Sequence, residues 1–521
     1  MRIKILILTV FIALLNQSCD DQLEILPEDG IGPTTLFQNE AGAIAGLNGI
    51  YSRIHLAYRQ TFFNQMYPLS GTDEGFENRN GTRNFLENNH VSSERFILEA
   101  WTLLYEGVNA ANIMISEVER SSMDEALKLR YIAEARFARG YLLFDLQRAF
   151  GGIDGVQMPI DASKTLLPRT KGVDVYAQII ADLENAEQNL PSIQDVTPGR
   201  ASKSAAQGLL ARVCLHRAGA PFTNDGDYYT KARDWAKKVI DNTYHELNPS
   251  YEDVFTKLAQ QEYETKEVLF QIGYFFTDNN QQGGKIGSTV GLRVDGNGCF
   301  QRGYSLISAS ITLTNAYRND PLDERGLWNT SPYYVTGGAC LTKTSDNQFR
   351  YGCSKFRRTL QTTGRGSWGS MHWPVLRYSD VLLMYAEAEN QLTPGSNNAF
   401  NAVNLVRSRS KATPLTGPIT EELIQEERRL ELCFEGLRKY DLVRWGILKQ
   451  KVDETLAAHI AADGQPNADW PVYGTGGTKN NVSANYYFNV YQNYDDSKHK
   501  LLPIPEQEIG ANSLTTQNPN W

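Results

Sequence analysis

The segment Thr420–Leu448, TEELIQEERRLELCFEGLRKYDLVRWGIL, constrains the fold more than any other part of the chain. Thr420 can cap a helix, and Glu421 and Glu422 place negative charge where a helix N-terminus favours it. Leu423, Leu430, Phe434 and Leu437 follow one another at intervals of 7, 4 and 3, which puts them on one helical face. Glu426 precedes Arg429 by three, Glu435 precedes Lys439 by four, and Asp441 precedes Arg444 by three. An exposed pair of this kind contributes only ~0.2–0.5 kcal/mol. So dense a pattern therefore predicts that several of these charges are partly buried. Gly436 costs a helix roughly 1 kcal/mol against Ala and predicts a kink or a close backbone contact.

The amino terminus, MRIKILILTVFIALLNQSC, has a basic start (Arg2, Lys4) and an apolar run of eleven residues from Ile5 to Leu15. A bilayer span takes ~20 residues, so this run reads as a secretory signal over 1–18. Cys19 after Ser18 resembles a lipoprotein processing site, differing at Asn16 and Gln17, and would become the acylated first residue. The acidic run DDQLEILPED that follows resembles the export tag of surface lipoproteins. Net charge is −9 over 521 residues with no basic run, which argues against nucleic-acid binding.

Helical periodicity dominates 40–58, 98–118, 124–150, 174–190, 203–218, 228–243, 379–392, 397–410 and 420–448. Ala133, Ala138, Ala205, Ala386 and Ala388 recur where paired helices must approach closely, so helical hairpins are expected. The interval 59–96 reads as loop. The intervals 245–375 and 449–521 are rich in Gly, Asn, Thr and Tyr, with strand-like pieces EVLFQIGYFF and NYYFNVY. So long an irregular interval inside a helical protein is the expected place for binding. Pro503 and Pro505 keep the C-terminal segment out of regular structure, and it is expected to pack back on the helices. Cys214 and Cys433 read as core thiols, whereas Cys340 and Cys353 are a candidate pair in an oxidising compartment.

ERRLELCFEGLRKYDLVRWG resembles the C-terminal hallmark of the SusD/RagB family of surface nutrient-binding lipoproteins. WTLLYEGVNAANIMISEVE, EARFARGYLLFDLQRAFGG, RASKSAAQGLLARVCLHRAG and VLRYSDVLLMYAEAENQL resemble the same family in the expected order. The resemblance implies a mainly α fold of tetratricopeptide-like hairpins, four repeats in all, with a loop-rich, partly β ligand-binding subdomain. The organisation expected is a signal peptide (1–18), an acidic tether (19–39), an N-terminal helical region (40–244), a binding subdomain (245–375) and a C-terminal region completing the scaffold (376–521). It further implies an outward-facing outer-membrane lipoprotein, anchored through Cys19, that binds oligosaccharides and passes them to a SusC-type TonB-dependent transporter.

Catalytic constellations are missing from the sequence: there is no HExxH, no Gly-x-Ser-x-Gly and no phosphate-binding GxxxxGK. No cofactor or metal is expected; the DGD at 225–227 lacks the later ligands of a calcium loop. Recognition remains. A sugar offers an apolar C–H face and a polar rim, so it calls for flat aromatics beside amide, carboxylate or guanidinium groups. Rings outside the helical stripes are Trp328, Tyr333, Tyr334, Trp368, Trp373 and Phe85, with Asp73, Asn80 and Arg83 as polar partners in the 59–96 loop. A peptide-binding protein of RagB type and a surface glycoside hydrolase are the alternatives. An acidic cleft with two isolated carboxylates would point to the hydrolase.

Overall fold

The computed structural model describes residues 32–59, 62–78, 84–160, 166–222, 226–277, 282–294, 296, 301–331, 333–336, 342–345, 352–361, 363–462 and 489–521. Helices α1 (Glu40–Arg59), α2 (Arg95–Arg120), α3 (Glu125–Leu146), α4 (Gly172–Asn189), α5 (Lys203–Ala218) and α6 (Gly226–Ile240) each pack on the next in the chain. The series continues from α6 to α7 (Tyr378–Leu392) and α8 (Asn397–Arg409), with α9 (Glu421–Leu432) also against α7. Four successive helix pairs thus form a helical scaffold, the mainly α architecture expected.

Sequence chemistry explains the local choices. Trp101, Leu104, Val108, Ala111, Ile115 and Val118 recur on one face of α2 and are all buried. Asp124 caps α3 through the Ala126 and Leu127 N–H groups, and Ser202 caps α5 through Ala205 N–H. Ala133, Ala138, Ala205, Ala386 and Ala388 are wholly buried between helices, as their size predicts.

The irregular interval between α6 and α7 carries short strands. Val268–Ile272 pairs antiparallel with Trp373–Arg377, and every residue of both is buried. The register shifts after Pro374, which has no N–H to give the ladder. Gly75–Glu77, Ile307–Ala309, Gly352–Cys353 and Thr330–Ser331 form a four-stranded sheet in that order. So the 59–96 segment is not simply loop: it supplies an edge strand of this sheet. One apolar cluster runs from Phe37 in front of α1 through the sheets to Ile504 near the end of the chain.

Several further expectations are corrected. The 420–448 segment is not one helix: α9 ends at Leu432, Arg438–Arg444 forms a second helix, and Leu448–Ala462 a third. Phe434 and Gly436 both take positive φ (66° and 74°), so the chain turns sharply instead of kinking. With that turn Glu435 leaves Lys439 and pairs with Lys355 and Arg377. Finally, Asn489–Gln492, inside the strand-like NYYFNVY, is helical, and Leu448–Ala462 lies in an interval expected to be irregular.

The tail packs back on the helices as expected, but it is not free of regular structure: Glu506–Ala511, directly after Pro505, is helical. Leu502 N–H donates to the Ala149 carbonyl at 2.8 Å, and the Asn518 amide donates to the Phe150 carbonyl at 2.8 Å, stitching the C-terminus to the end of α3. Cys214 and Cys433 are buried thiols; Cys353 is also a buried free thiol, and Cys340 lies outside the described residues.

Candidate functional site

Carboxylates are the first place to look for catalysis, and the 420–448 segment concentrates them. Glu431 accepts from Arg325 at 3.1 Å, Arg377 at 2.9 Å and Arg409 at 2.5 Å. Arg325 also holds Asp323 and Glu427, and Arg377 also holds Glu267 and Glu435. A neighbouring group ties Arg428 to Asp380 and Asp441, and Arg444 to Asp441 and Glu387. Burial alone would raise the Glu431 carboxyl, but Arg409, Arg377 and Arg325 hold it far below the usual range. Asp441 is held down against burial by Arg428 and Arg444 in the same way. These side chains are buried and engaged in ion pairs with one another, so they do not reach a substrate. They fasten the chain.

The predicted ligand residues divide. Trp328, Trp373 and Phe85 are 5%, 2% and 1% exposed, so they are core rings and not a sugar platform. Their surroundings give the reason: Trp328 stacks under the Arg357 guanidinium at 3.8 Å, Trp373 packs on Phe356, and Phe85 on Tyr67 and Phe96. Asp73 is also buried, paired with Arg438 at 2.8 Å, which against the opposing effect of burial brings its carboxyl to about 2. Tyr333 and Tyr334 lie on the strand Tyr333–Thr336, which pairs with Thr342–Ser345. Asn80, Arg83 and Cys19 lie outside the described residues. Of the predicted rings whose burial is described, only Trp368 is half-buried, with Arg59 at 4.3 Å and Lys285 at 4.2 Å from its centroid.

An open cleft of about 410 Å³ lies elsewhere, between α1, the turn at Thr197–Arg200 and the strand Val268–Ile272 with its continuation. Phe275 is 45% exposed at its mouth, and Tyr263 and Phe275 flank His372 at 4.7 and 5.7 Å. His55 reaches the Gln282 carbonyl at 3.1 Å; burial lowers its pKa, so the ring is neutral at pH 7. The guanidinium of Arg200 is spent on Glu134 at 3.2 Å and on the Asn48 amide oxygen at 2.8 Å. Among the described residues, no Asp or Glu lines the cleft. One turn of α1 beyond His55, Arg59 donates to the Gly283 carbonyl at 3.0 Å and carries Trp368, so this aromatic rim continues from the cleft. Such a surface can stack on an apolar ring face and exchange hydrogen bonds, and its described residues include no pair of carboxylates for acid–base work.

Reading aromatics by region missed this cleft. A usable signal was present in EVLFQIGYFF: adjacent Phe275 and Phe276 cannot both face inward from an extended chain, and Phe276 is 3% exposed while Phe275 is open.

Comparison with known proteins follows the same division. A family profile described as "SusD family" matches residues 324–521, and one described as "Starch-binding associating with outer membrane" matches 37–215. The chain belongs to the SusD/RagB family. SusD-like protein P2 of Formosa agariphila is 27% identical, over 96% of this chain and 97% of that protein. A SusD homolog from Bacteroides thetaiotaomicron superposes with a TM-score of 0.81 at 24% identity, covering 94% of this chain and 98% of that one. A "Laminarin binding SusD-like protein" superposes with a TM-score of 0.70 at 23% identity, over 93% and 100% of the two chains.

In this SusD-family chain the hallmark also holds a strained turn. Phe434 is buried at a positive φ that costs a non-glycine residue of order 1–3 kcal/mol. Its N–H donates to Glu74 Oε2 at 3.0 Å, from a residue 360 positions away. Burial pushes the Glu74 carboxyl up to about 8 from an ordinary 4.5. Between those values the folded chain keeps a proton that the unfolded chain releases, so stability falls as pH rises through that window. Glu74→Gln keeps an acceptor for Phe434 and abolishes the titration. Its urea midpoint is expected to gain on the parent's as pH is raised from 5 to 8; an equal difference at both ends would show that Glu74 is not buried as a neutral acid.

Proposed function

We propose that this SusD-family chain is a glycan-binding lipoprotein of the outer membrane. It captures an oligosaccharide in the cleft beside Tyr263 and Phe275 and delivers it to a SusC-type TonB-dependent transporter. Acylation of Cys19 would anchor it, with the acidic segment 19–39 as tether and the helical scaffold as the broad surface that meets the transporter. No helix among the described residues is long and apolar enough to cross a membrane, so attachment rests on lipid in this reading.

The observation that carries the proposal is the cleft: open, rimmed by aromatic rings, furnished with uncharged polar groups and, among the described residues, lined by no carboxylate. That lining supports binding over hydrolysis, since a glycosidase needs two carboxylates facing its substrate. The starch-binding description of the matching profile and the laminarin-binding neighbour support a carbohydrate as the ligand.

Calorimetry with starch-derived and laminarin-derived oligosaccharides tests this, with chromatography of the same mixtures for products. Binding without cleavage is expected. Phe275→Ala removes an exposed ring worth roughly 1–2 kcal/mol of stacking, so affinity should fall about tenfold with the melting temperature unchanged. Products of hydrolysis, or binding indifferent to Phe275, would defeat the proposal.

A further inference from the structure

On the far side of Tyr263 lies a second cleft of about 370 Å³. Its own walls include Ile193, Gln194, Val196, Tyr244 and Thr265, whereas Pro198–Arg200, Tyr263, Phe270 and Gln271 line both clefts. Tyr263 is the half-buried ring common to both, and the backbone packs closely on it. A Cβ at Gly199 (φ 85°) would sit 3.2 Å from the Tyr263 ring, and one at Gly273 would sit 2.3 Å from its hydroxyl. Two glycines therefore let the chain close on the ring from both sides.

Gln271 is common to both clefts and only 5% exposed, and its Oε1 accepts no hydrogen bond among the described residues. A buried acceptor without a donor costs about 1–3 kcal/mol. No donor among the described residues recovers that cost, so a donor from outside is the natural partner. Tyr244 and Thr265 join their hydroxyls at 2.6 Å along the second cleft, adding polar groups without charge. Among the described residues neither cleft is lined by an Asp or Glu, and the cation shared by their linings, Arg200, is paired with Glu134.

We infer that the two clefts are one groove, in which an uncharged glycan passes over Tyr263 and places further sugar residues in the second cleft, with a sugar hydroxyl donating to Gln271. This rests on the glycan-binding reading above and extends it: the preferred ligand is a neutral oligosaccharide too long for one cleft. Each volume falls in the range of small-molecule sites, ~300–1,000 Å³, so the pair accommodates more than either alone.

The test is affinity against chain length, measured by calorimetry with starch-derived and laminarin-derived oligosaccharides from disaccharide to octasaccharide, and with neutral peptides of similar length. For the parent protein, affinity should keep rising after the first cleft is filled. Val196→Trp, which fills the second cleft, should remove only that later rise, about tenfold for the longest chains, and leave the shortest unchanged. Gln194→Trp, at an exposed wall position, repeats the block should Val196→Trp misfold. Ser52→Trp, on the α1 wall of the first cleft, should weaken every length. A length profile untouched by both second-cleft variants overturns the inference while leaving glycan binding intact. Binding of peptides with no binding of any oligosaccharide overturns both, as does the binding of neither.

Discussion

Glu431→Ala should destabilise the folded chain by ~3–5 kcal/mol, the cost of breaking a buried ion pair from one side. The reason is local and severe: three guanidiniums, Arg325, Arg377 and Arg409, lose a shared acceptor that is itself wholly buried. Against a total stability of ~5–15 kcal/mol, the expected outcome is a large fall in the urea midpoint, or insoluble expression. Glu431→Gln keeps the shape and loses the charge, so it should fall between the parent and the alanine variant. A midpoint unmoved by Glu431→Ala would mean that the network is not closed as described. The effect of removing one member says nothing about the worth of the whole. Replacing all of it by apolar side chains of equal volume is often neutral or favourable, so what the network chiefly supplies is a defined arrangement of α9, the strand Trp373–Arg377 and the Asp323–Arg325 turn.

Trp328→Ala is the second large effect, and it should appear in stability and not in binding. The ring is 5% exposed beneath Arg357, and Trp328 also accepts from the Ser354 hydroxyl at 2.6 Å through its carbonyl. Emptying such a site costs ~3–5 kcal/mol. The urea midpoint should drop accordingly, while the protein that remains folded binds oligosaccharide with parental affinity. Phe275→Ala should show the opposite pattern. The two variants side by side separate a core ring from a ligand ring. If Trp328→Ala lost affinity at unchanged stability, the aromatic surface expected from the sequence would be restored and the cleft at Tyr263 would lose its claim.

What was legible follows from how far each signal reaches along the chain. Period and capping act over a few residues, so α2 with its Trp101–Val118 stripe, α3 behind Asp124 and the strand Val268–Ile272 were all readable from the sequence. Thr420 does cap α9, its hydroxyl accepting from Leu423 N–H at 3.4 Å, and Arg429 does pair with Glu426. The turn at Phe434 was not readable, because the acceptor that helps hold it belongs to Glu74. Nor was the pairing of Glu435, which abandons a residue four positions away for Lys355 and Arg377, 80 and 58 positions away.

By itself the sequence determined a helical scaffold, a hallmark segment with more charge than a surface helix needs, and membership of a family. Only the tertiary structure decided which aromatic rings meet solvent. An aromatic side chain carries the same local pattern whether or not another segment lies over it. Exposure is a property of what covers a residue, and the cover arrives from distant parts of the chain: Arg357 over Trp328, Phe356 against Trp373, whereas among the described residues Phe275 stays open.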